Sequence, residues 1–175
     1  MSKRLNLPFL FFLLGYLPVC CMGADLDIRQ APTDTAANGI NRQVFYQAME
    51  GNNRMLVDSE LVYSRKDATG NLGAFTGALI MKKAGLGGSA STKLHLFKQG
   101  HQMLEAAIEQ EPDNTEYRFL RLMIQENAPG FLGYKNDLEK DSAYIRKTYK
   151  SLPSEVQQAI LRYNKKSKVL KLDLS

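Results

Sequence analysis

The sequence predicts an all-α protein, built from about seven antiparallel helices packed as helix pairs in a single domain. From residue 41 onward, apolar residues recur every three or four positions, which is the period of a helix with one buried face. Short groups of Gly, Pro and Asn separate these periodic stretches and mark the turns. No stretch shows the sustained alternation of apolar and polar residues that is typical of a β-strand.

Three helices are predicted in the first half of the domain. A short helix begins at Asn41 and is interrupted by Gly51-Asn52-Asn53, and a second helix follows it up to a turn at residues 67–71. A third helix runs from Leu72 to Ala84. Its small residues, which allow a neighbouring helix backbone to approach closely, are Gly73, Ala74, Gly77 and Ala78.

The fourth helix has the clearest apolar stripe, with one histidine in it. We expect that histidine, His101, to be partly buried and hydrogen-bonded, because nothing supplies a third ligand to a metal bound by His101 and Glu105. Pro112 ends this helix. The stripe is formed by Leu94, Phe97, His101, Leu104 and Ile108.

Capping residues and prolines predict three further helices. Asp113 with Glu116 fits a capping box at the start of a fifth helix, which ends at residues 127–130. A second capping box, Asn136 with Glu139, would start a sixth helix. A seventh helix has Pro153 in its first turn and runs to about Tyr163. The buried face of the fifth helix is predicted to consist of Phe119, Leu120, Met123 and Ile124.

The first 23 residues have the layout of a secretory signal peptide. The basic pair Lys3-Arg4 precedes an apolar run from Leu5 to Val19, and small residues stand before a cut ahead of Ala24. The apolar run is too short to span a bilayer comfortably as a permanent helix. We therefore expect an exported protein, periplasmic or secreted.

Processing decides the fate of the cysteines. Cys20 and Cys21 are the only two, and both lie in the segment that would be removed, so a mature chain would have no disulfide and no thiolate metal site. The alternative is a lipoprotein acylated at Cys20 or Cys21, which the preceding Leu17-Pro18-Val19 disfavours. The expected order is a signal peptide (1–23), a flexible leader (24–40), a helical domain (41–165) and a basic tail (166–175).

The charge distribution excludes a nucleic-acid binder. The formal net charge of the full chain is +5, and it falls to about +3 without Lys3 and Arg4, which is far from a dense basic stripe. We expect the basic tail to be solvated and frayed; the alternative is contact with anionic lipid or an acidic partner. An acidic group, also expected to be solvated surface, consists of Glu105, Glu109, Glu111, Asp113 and Glu116.

One repeat unit resembles a tetratricopeptide repeat. Its second helix would carry the characteristic order of small, large apolar, small, apolar and proline residues at Gly100, Leu104, Ala107, Ile108 and Pro112. Gly77-Ala78 would be the small pair of the first helix, with a loop insertion before Gly100. The resemblance implies TPR-like packing of helix pairs rather than a regular solenoid.

A second resemblance covers most of residues 40–146. The segments that carry it are Phe45–Ala48, Leu104–Ile108, Glu116–Arg121, Gln125, Asn127 and Leu132–Tyr134. The chain resembles a family of short exported proteins of Bacteroidetes-type bacteria in these segments. The resemblance implies an envelope location and a helical fold, and it transfers no catalytic residue.

The fifth helix and the loop after it supply the candidate partner-binding residues. Arg118, Arg121 and Gln125 project to one side, and arginine pairs suit capture of a carboxylate or phosphate. The alternative is that the arginines form internal salt bridges. Phe131 and Tyr134 either plug the end of a helix pair or form an exposed patch. The acidic residues available for such salt bridges are Glu105, Glu109, Asp137 and Asp141.

No catalytic, metal or cofactor motif is recognisable in this sequence. We therefore expect a non-enzymatic protein-interaction module, an adaptor or scaffold, whose partner is an envelope protein or peptide. The alternative is a small-ligand-binding protein or enzyme, with a pocket around Arg118, Arg121, His101 and Glu105.

Overall fold

The computed structural model describes residues 39–66 and 72–173, which all belong to one compact unit, Asp34–Ser175. Within these residues the chain is all helical and contains no strand, so the predicted all-α class is confirmed. The expectations for residues 1–38 and for the turn at 67–71 lie outside the described residues. The helices are α1 (Arg42–Glu50), α2 (Arg54–Ser64), α3 (Gly73–Gly85), α4 (Ala90–Gln110), α5 (Thr115–Asn127), α6 (Leu138–Thr148) and α7 (Ser154–Asn164), with short 3-10 turns at Gly130–Leu132 and Tyr149–Ser151.

Side-chain caps explain where several helices begin. The Oδ1 atoms of Asn41 and Asn53 accept hydrogen bonds from the backbone N–H groups of Val44 and Leu56, at 3.1 and 3.2 Å. Ser89 caps α4 in the same way, through its Oγ atom. Each cap satisfies a backbone donor that the first turn of a helix leaves unpaired.

Both predicted capping boxes are wrong. At α5 the cap is Asn114, whose Oδ1 accepts from the N–H groups of Glu116 and Tyr117, because the chain turns one residue later than predicted. The Glu116 side chain does not reach back to the cap; it pairs with Arg42 and Tyr46 of α1. Helix α6 begins at Leu138 and has no side-chain cap.

Helix α3 lies at the centre of the fold. It packs against α1, α2, α4 and α5, and its residues from Ala74 to Met81 are all buried. Its most extensive contact is with α4, where Gly77 faces Gly100. The close approach expected from the small residues of the third helix is therefore observed.

Helix α5 is buried on all sides. Every residue from Thr115 to Gln125 is buried, although the sequence predicts one buried and one polar face. Phe119 is fully buried and its ring packs against the rings of Tyr46 and Tyr163. A helix that is buried all round must find internal partners for its charged side chains.

The basic tail is held on the domain as far as residue 173 and is not frayed there. Leu170 is fully buried, and its carbonyl oxygen accepts a hydrogen bond from Arg146 at 2.9 Å. The Glu126 carboxylate accepts from the Ser167 hydroxyl and from the backbone N–H of Lys168. The apolar Leu170 explains why this charged segment packs on the domain.

None of the helices in residues 39–66 and 72–173 is long and apolar enough to span a membrane.

Candidate functional site

The arginines of α5 lie in a buried ion cluster. Asp141 of α6 is fully buried and accepts hydrogen bonds from Arg118 Nη1 at 3.0 Å and from Arg121 Nε and Nη2 at 2.7 and 2.8 Å. Arg121 Nη1 also donates to Glu105 of α4 at 2.8 Å. The cluster therefore joins α4, α5 and α6, as the internal salt-bridge alternative predicts.

The remaining polar atoms of this cluster are also used internally. Arg118 Nε donates to the carbonyl oxygen of Pro112 at 2.8 Å, and its guanidinium lies 4.5 Å from the centre of the Tyr144 ring. The hydroxyl of Tyr134 donates to Glu105. These contacts leave neither arginine available as a free bidentate group for a ligand.

Burial and pairing oppose each other in their effect on the pKa of Arg121 and act together on the pKa of Tyr134. Burial acts to lower the pKa of Arg121, but the hydrogen bonds and charge of Asp141, with those of Glu105, raise it above its usual range. Burial raises the pKa of Tyr134, and its hydrogen bond to Glu105 raises it further. The arginine is held charged and the tyrosine neutral, which is what a structural ion cluster requires.

A second charged contact joins α1 to α5. Glu116 of α5 accepts from Arg42 Nε and Nη2 of α1 at 2.9 and 2.8 Å and from the Tyr46 hydroxyl at 3.0 Å. Glu105 and Glu116 are thus paired inside the domain. The prediction that the acidic group is solvated surface is wrong for these two residues.

Of the five candidate partner-binding residues, four are buried. Arg118, Arg121, Gln125 and Tyr134 lie inside the domain, whereas the Phe131 side chain is 87% exposed. A role for all five in binding stays a prediction, but only Phe131 presents its side chain to a partner. Tyr134 packs against Phe97 and His101 of α4, whereas Phe131 is exposed.

The recess beside the ion cluster is polar. His101, Glu105 and Gln125 line a recess of about 570 Å³ between α4 and the loop before α6; Arg118 and Arg121 do not line it. His101 packs between the rings of Phe97 and Tyr134, at centre distances of 6.3 and 4.5 Å. The four residues proposed for a small-ligand pocket therefore do not converge on one cavity.

A second cavity is an apolar cleft of about 670 Å³ at one end of the helices. The ends of α1, α3, α5 and α7, the start of α4 and the 3-10 turn at Gly130–Leu132 surround it. Leu94 and Phe131, two large apolar side chains that are 42% and 87% exposed, stand on its walls. Its other large apolar lining residues are Met49, Met81, Leu86, Phe97, Met123, Ile124 and Leu132.

The sequence pattern does not predict this cleft. Leu94 belongs to the apolar stripe of α4, but no helix of residues 39–66 and 72–173 covers it at the N-terminal end of the stripe, so its predicted burial is wrong. The methionines come from three separate helices and meet only in the fold. The one sequence signal for the cleft is Phe131, a large apolar residue that directly follows Pro129-Gly130 in a loop. Its side chain is not buried in the core.

Within residues 39–66 and 72–173, no group of three or more His, Cys, Asp and Glu side chains is arranged to hold a metal ion. No protein-family model, curated protein or solved structure matches this chain.

Proposed function

We propose that this protein is an exported, non-enzymatic interaction module of the bacterial cell envelope, an adaptor or scaffold that holds a segment of a partner protein in its apolar cleft. The observation that carries the proposal is the pair of exposed apolar side chains on the walls of that cleft, Leu94 and Phe131. Exposed apolar groups grouped around a concavity are characteristic of binding surfaces.

Methionine on three walls suits such a surface. Met49, Met81 and Met123 come from α1, α3 and α5, and their unbranched side chains adapt to the shape of an occupant. A cleft with adaptable walls binds an apolar segment without requiring one particular shape. A catalytic site, in contrast, requires polar groups that are held in fixed positions and converge on the substrate.

The pairing of the arginines also favours an interaction module over a small-ligand enzyme. A pocket built on Arg118, Arg121, His101 and Glu105 needs free guanidinium donors, and both arginines are committed to Asp141. The cleft is separate from this cluster and needs none of it. The binding function is therefore assigned to the cleft.

The TPR-like packing and the cell-envelope location are part of the same proposal. The close contact of Gly77 with Gly100, and the end of α4 before Pro112, are features that a tetratricopeptide-like helix pair would have. The signal-like residues 1–23 support export.

An affinity capture with matched variants tests this function. Tagged protein, expressed from its full sequence, is incubated with an envelope extract of the parent bacterium. We expect a stoichiometric protein that is lost with Leu94→Ser/Phe131→Ser and retained with Met55→Ser/Val62→Ser. The control replaces two exposed apolar residues of α2, away from the cleft.

Arg118→Ala/Arg121→Ala is unsuitable as the test variant, because it would break the buried ion cluster and lower stability. Equal capture by the cleft variant and by the unsubstituted protein would contradict the proposed function. So would the absence of any specific protein with a folded bait.

A further inference from the structure

Three lysines surround the apolar cleft, and none is paired within the described residues. Lys82 lies in the last turn of α3, Lys93 in the first turn of α4 and Lys166 just after α7. No carboxylate or carbonyl oxygen of residues 39–66 and 72–173 accepts a hydrogen bond or ion pair from their ammonium groups. Each ammonium has three donors to offer.

Two of these lysines, Lys82 and Lys166, line the same cleft. Lys82 is half-buried, and the burial of its side chain, together with the nearby charge of Lys166, lowers its pKa. The ammonium of Lys166 lies 5.2 Å from the centre of the Tyr163 ring, which positions it beside the cleft. Two cations that line one cleft and have no ion pair of their own within the described residues are an arrangement that a bound carboxylate would stabilise.

The other charges near the cleft do not cancel the lysines. Glu50 is the carboxylate that lines the described cleft, and Arg162 pairs with it at 3.3 Å. The ends of α1, α3, α5 and α7 add partial negative charges of about half a unit each, which act only over the last turn. The start of α4 adds a partial positive charge. The cleft therefore keeps a positive rim around an apolar interior.

We propose that the partner segment held in this cleft is acidic and amphipathic. Its apolar side chains enter between Leu94 and Phe131, and its Asp or Glu carboxylates pair with Lys82 and Lys166. This inference rests on the proposed function and specifies the chemistry of the partner. Complementary charge also excludes a basic segment, because like charges at the rim would repel it.

Designed peptides test this inference directly. The probe is a fluorescent amphipathic helical peptide of about 18 residues, five turns, with leucine on one face and glutamate on the other. Matched peptides carry glutamine or lysine in place of every glutamate. Binding to the full chain is measured by fluorescence anisotropy at low salt.

We expect the glutamate peptide to bind about tenfold more tightly than the glutamine peptide, as two partly exposed ion pairs would produce. The preference should shrink when the ionic strength is raised about tenfold, since salt screens exposed charges. The lysine peptide should bind more weakly than both.

Two double variants locate the effect. Lys82→Gln/Lys166→Gln should remove the preference for glutamate while keeping the apolar stems that line the cleft. Lys140→Gln/Lys147→Gln removes the same charge from exposed positions of α6 and should keep the preference. Loss of the preference in both variants would overturn the inference, because net charge alone would then explain it.

Other outcomes separate this inference from the proposed function. If all three peptides bind equally, and Leu94→Ser/Phe131→Ser abolishes that binding, the acidic partner is overturned while the interaction module stands. If no peptide binds but dodecanoate does, in a manner that depends on Lys82, the cleft is a site for an acyl anion. That result overturns both proposals.

Discussion

Gly77 of α3 and Gly100 of α4 lie backbone against backbone. A Cβ atom added to Gly77 would come within 2.7 Å of the Gly100 carbonyl oxygen and 2.9 Å of the backbone nitrogen of Leu104. A Cβ atom added to Gly100 would meet the Gly77 carbonyl oxygen and the backbone nitrogen of Met81. The contact is between main chains, so a rotamer change cannot relieve it.

The first prediction concerns this contact. Gly77→Ala and Gly100→Ala should each lower the free energy of unfolding by about 1–3 kcal/mol, because the two helices must move apart. The usual gain from replacing glycine within a helix, about 1 kcal/mol, does not offset this cost. Urea unfolding followed by circular dichroism measures the change.

Gly73→Ala is the matched control for the glycine prediction. Gly73 also lies in α3, but an added Cβ atom would have no neighbour within 4 Å. This substitution should leave the free energy of unfolding unchanged or raise it by up to about 1 kcal/mol. Equal effects at the three positions would show that helix propensity, and not the contact, sets the stability.

The second prediction concerns the buried ion cluster. Arg121→Gln should lower the free energy of unfolding by about 3–5 kcal/mol, because it leaves the buried Asp141 without its bidentate partner. Arg162→Gln removes an arginine from a more exposed pair with Glu50 and should cost about 1 kcal/mol or less. Chemical denaturation of both variants and of the unsubstituted protein measures the two losses of stability. Similar losses would mean that the cluster is not a main stabilising element.

The third prediction concerns alkaline pH. Burial, together with the charges of Glu111 and Glu116, raises the pKa of Tyr117 to about 12. In the unfolded chain a tyrosine titrates near 10, so between about pH 10 and 12 the folded state binds more protons. The stabilising contribution is therefore complete below about pH 10 and is lost as the pH rises to about 12.

Tyr117→Phe tests this linkage. Burial raises the pKa of Tyr46 and Tyr134 as well, so the variant should still lose stability at alkaline pH. The fall in its free energy of unfolding between pH 10 and 12 should be smaller than in the unsubstituted protein. An unchanged fall would show that Tyr117 does not titrate with folding.

The fourth prediction concerns the basic tail. Leu170 is fully buried, and Leu170→Ala should cost about 2–5 kcal/mol of stability, as core truncations do. Leu172, two residues on, is half-buried, and Leu172→Ala should cost less. Thermal unfolding of the two variants gives the comparison. No difference between Leu170→Ala and the unsubstituted protein would mean that the tail is detached in solution.

Helix positions follow well from local sequence signals. Asn41, Asn53 and Ser89 cap helices through bonds to residues three positions ahead, and Pro153 comes directly before α7. These signals act within one turn, so they can be recognised without knowledge of the fold. The all-α class follows from them.

The burial of α5 could not be predicted in this way. Arg118 and Arg121 are buried because Asp141, about 20 residues later, reaches them from α6. Periodicity assigns charged residues to a solvent face unless such a distant partner is known. The same reasoning placed Glu116 outside, although Arg42 pairs with it across 74 positions of sequence.

The cleft is also a tertiary feature. It forms where helix ends leave apolar side chains uncovered, and residues from Met49 to Lys166 line it. No local sequence pattern predicts that Leu94 is left exposed or that Lys82 and Lys166 line the same cleft. Among the candidate partner-binding residues predicted from the sequence, only Phe131 lines the cleft.

Photo-cross-linking at Phe131 tests the central claim most directly. Position 131 is replaced with p-benzoylphenylalanine in the full chain, and cells of the source organism are irradiated. The control carries the same group at Val62, which is 59% exposed on α2. We predict one discrete protein adduct from position 131 and none of the same mass from position 62. The adduct should disappear when Leu94→Ser is added. An adduct that forms equally from both positions, or one that persists with Leu94→Ser, would contradict the assignment of partner binding to the cleft.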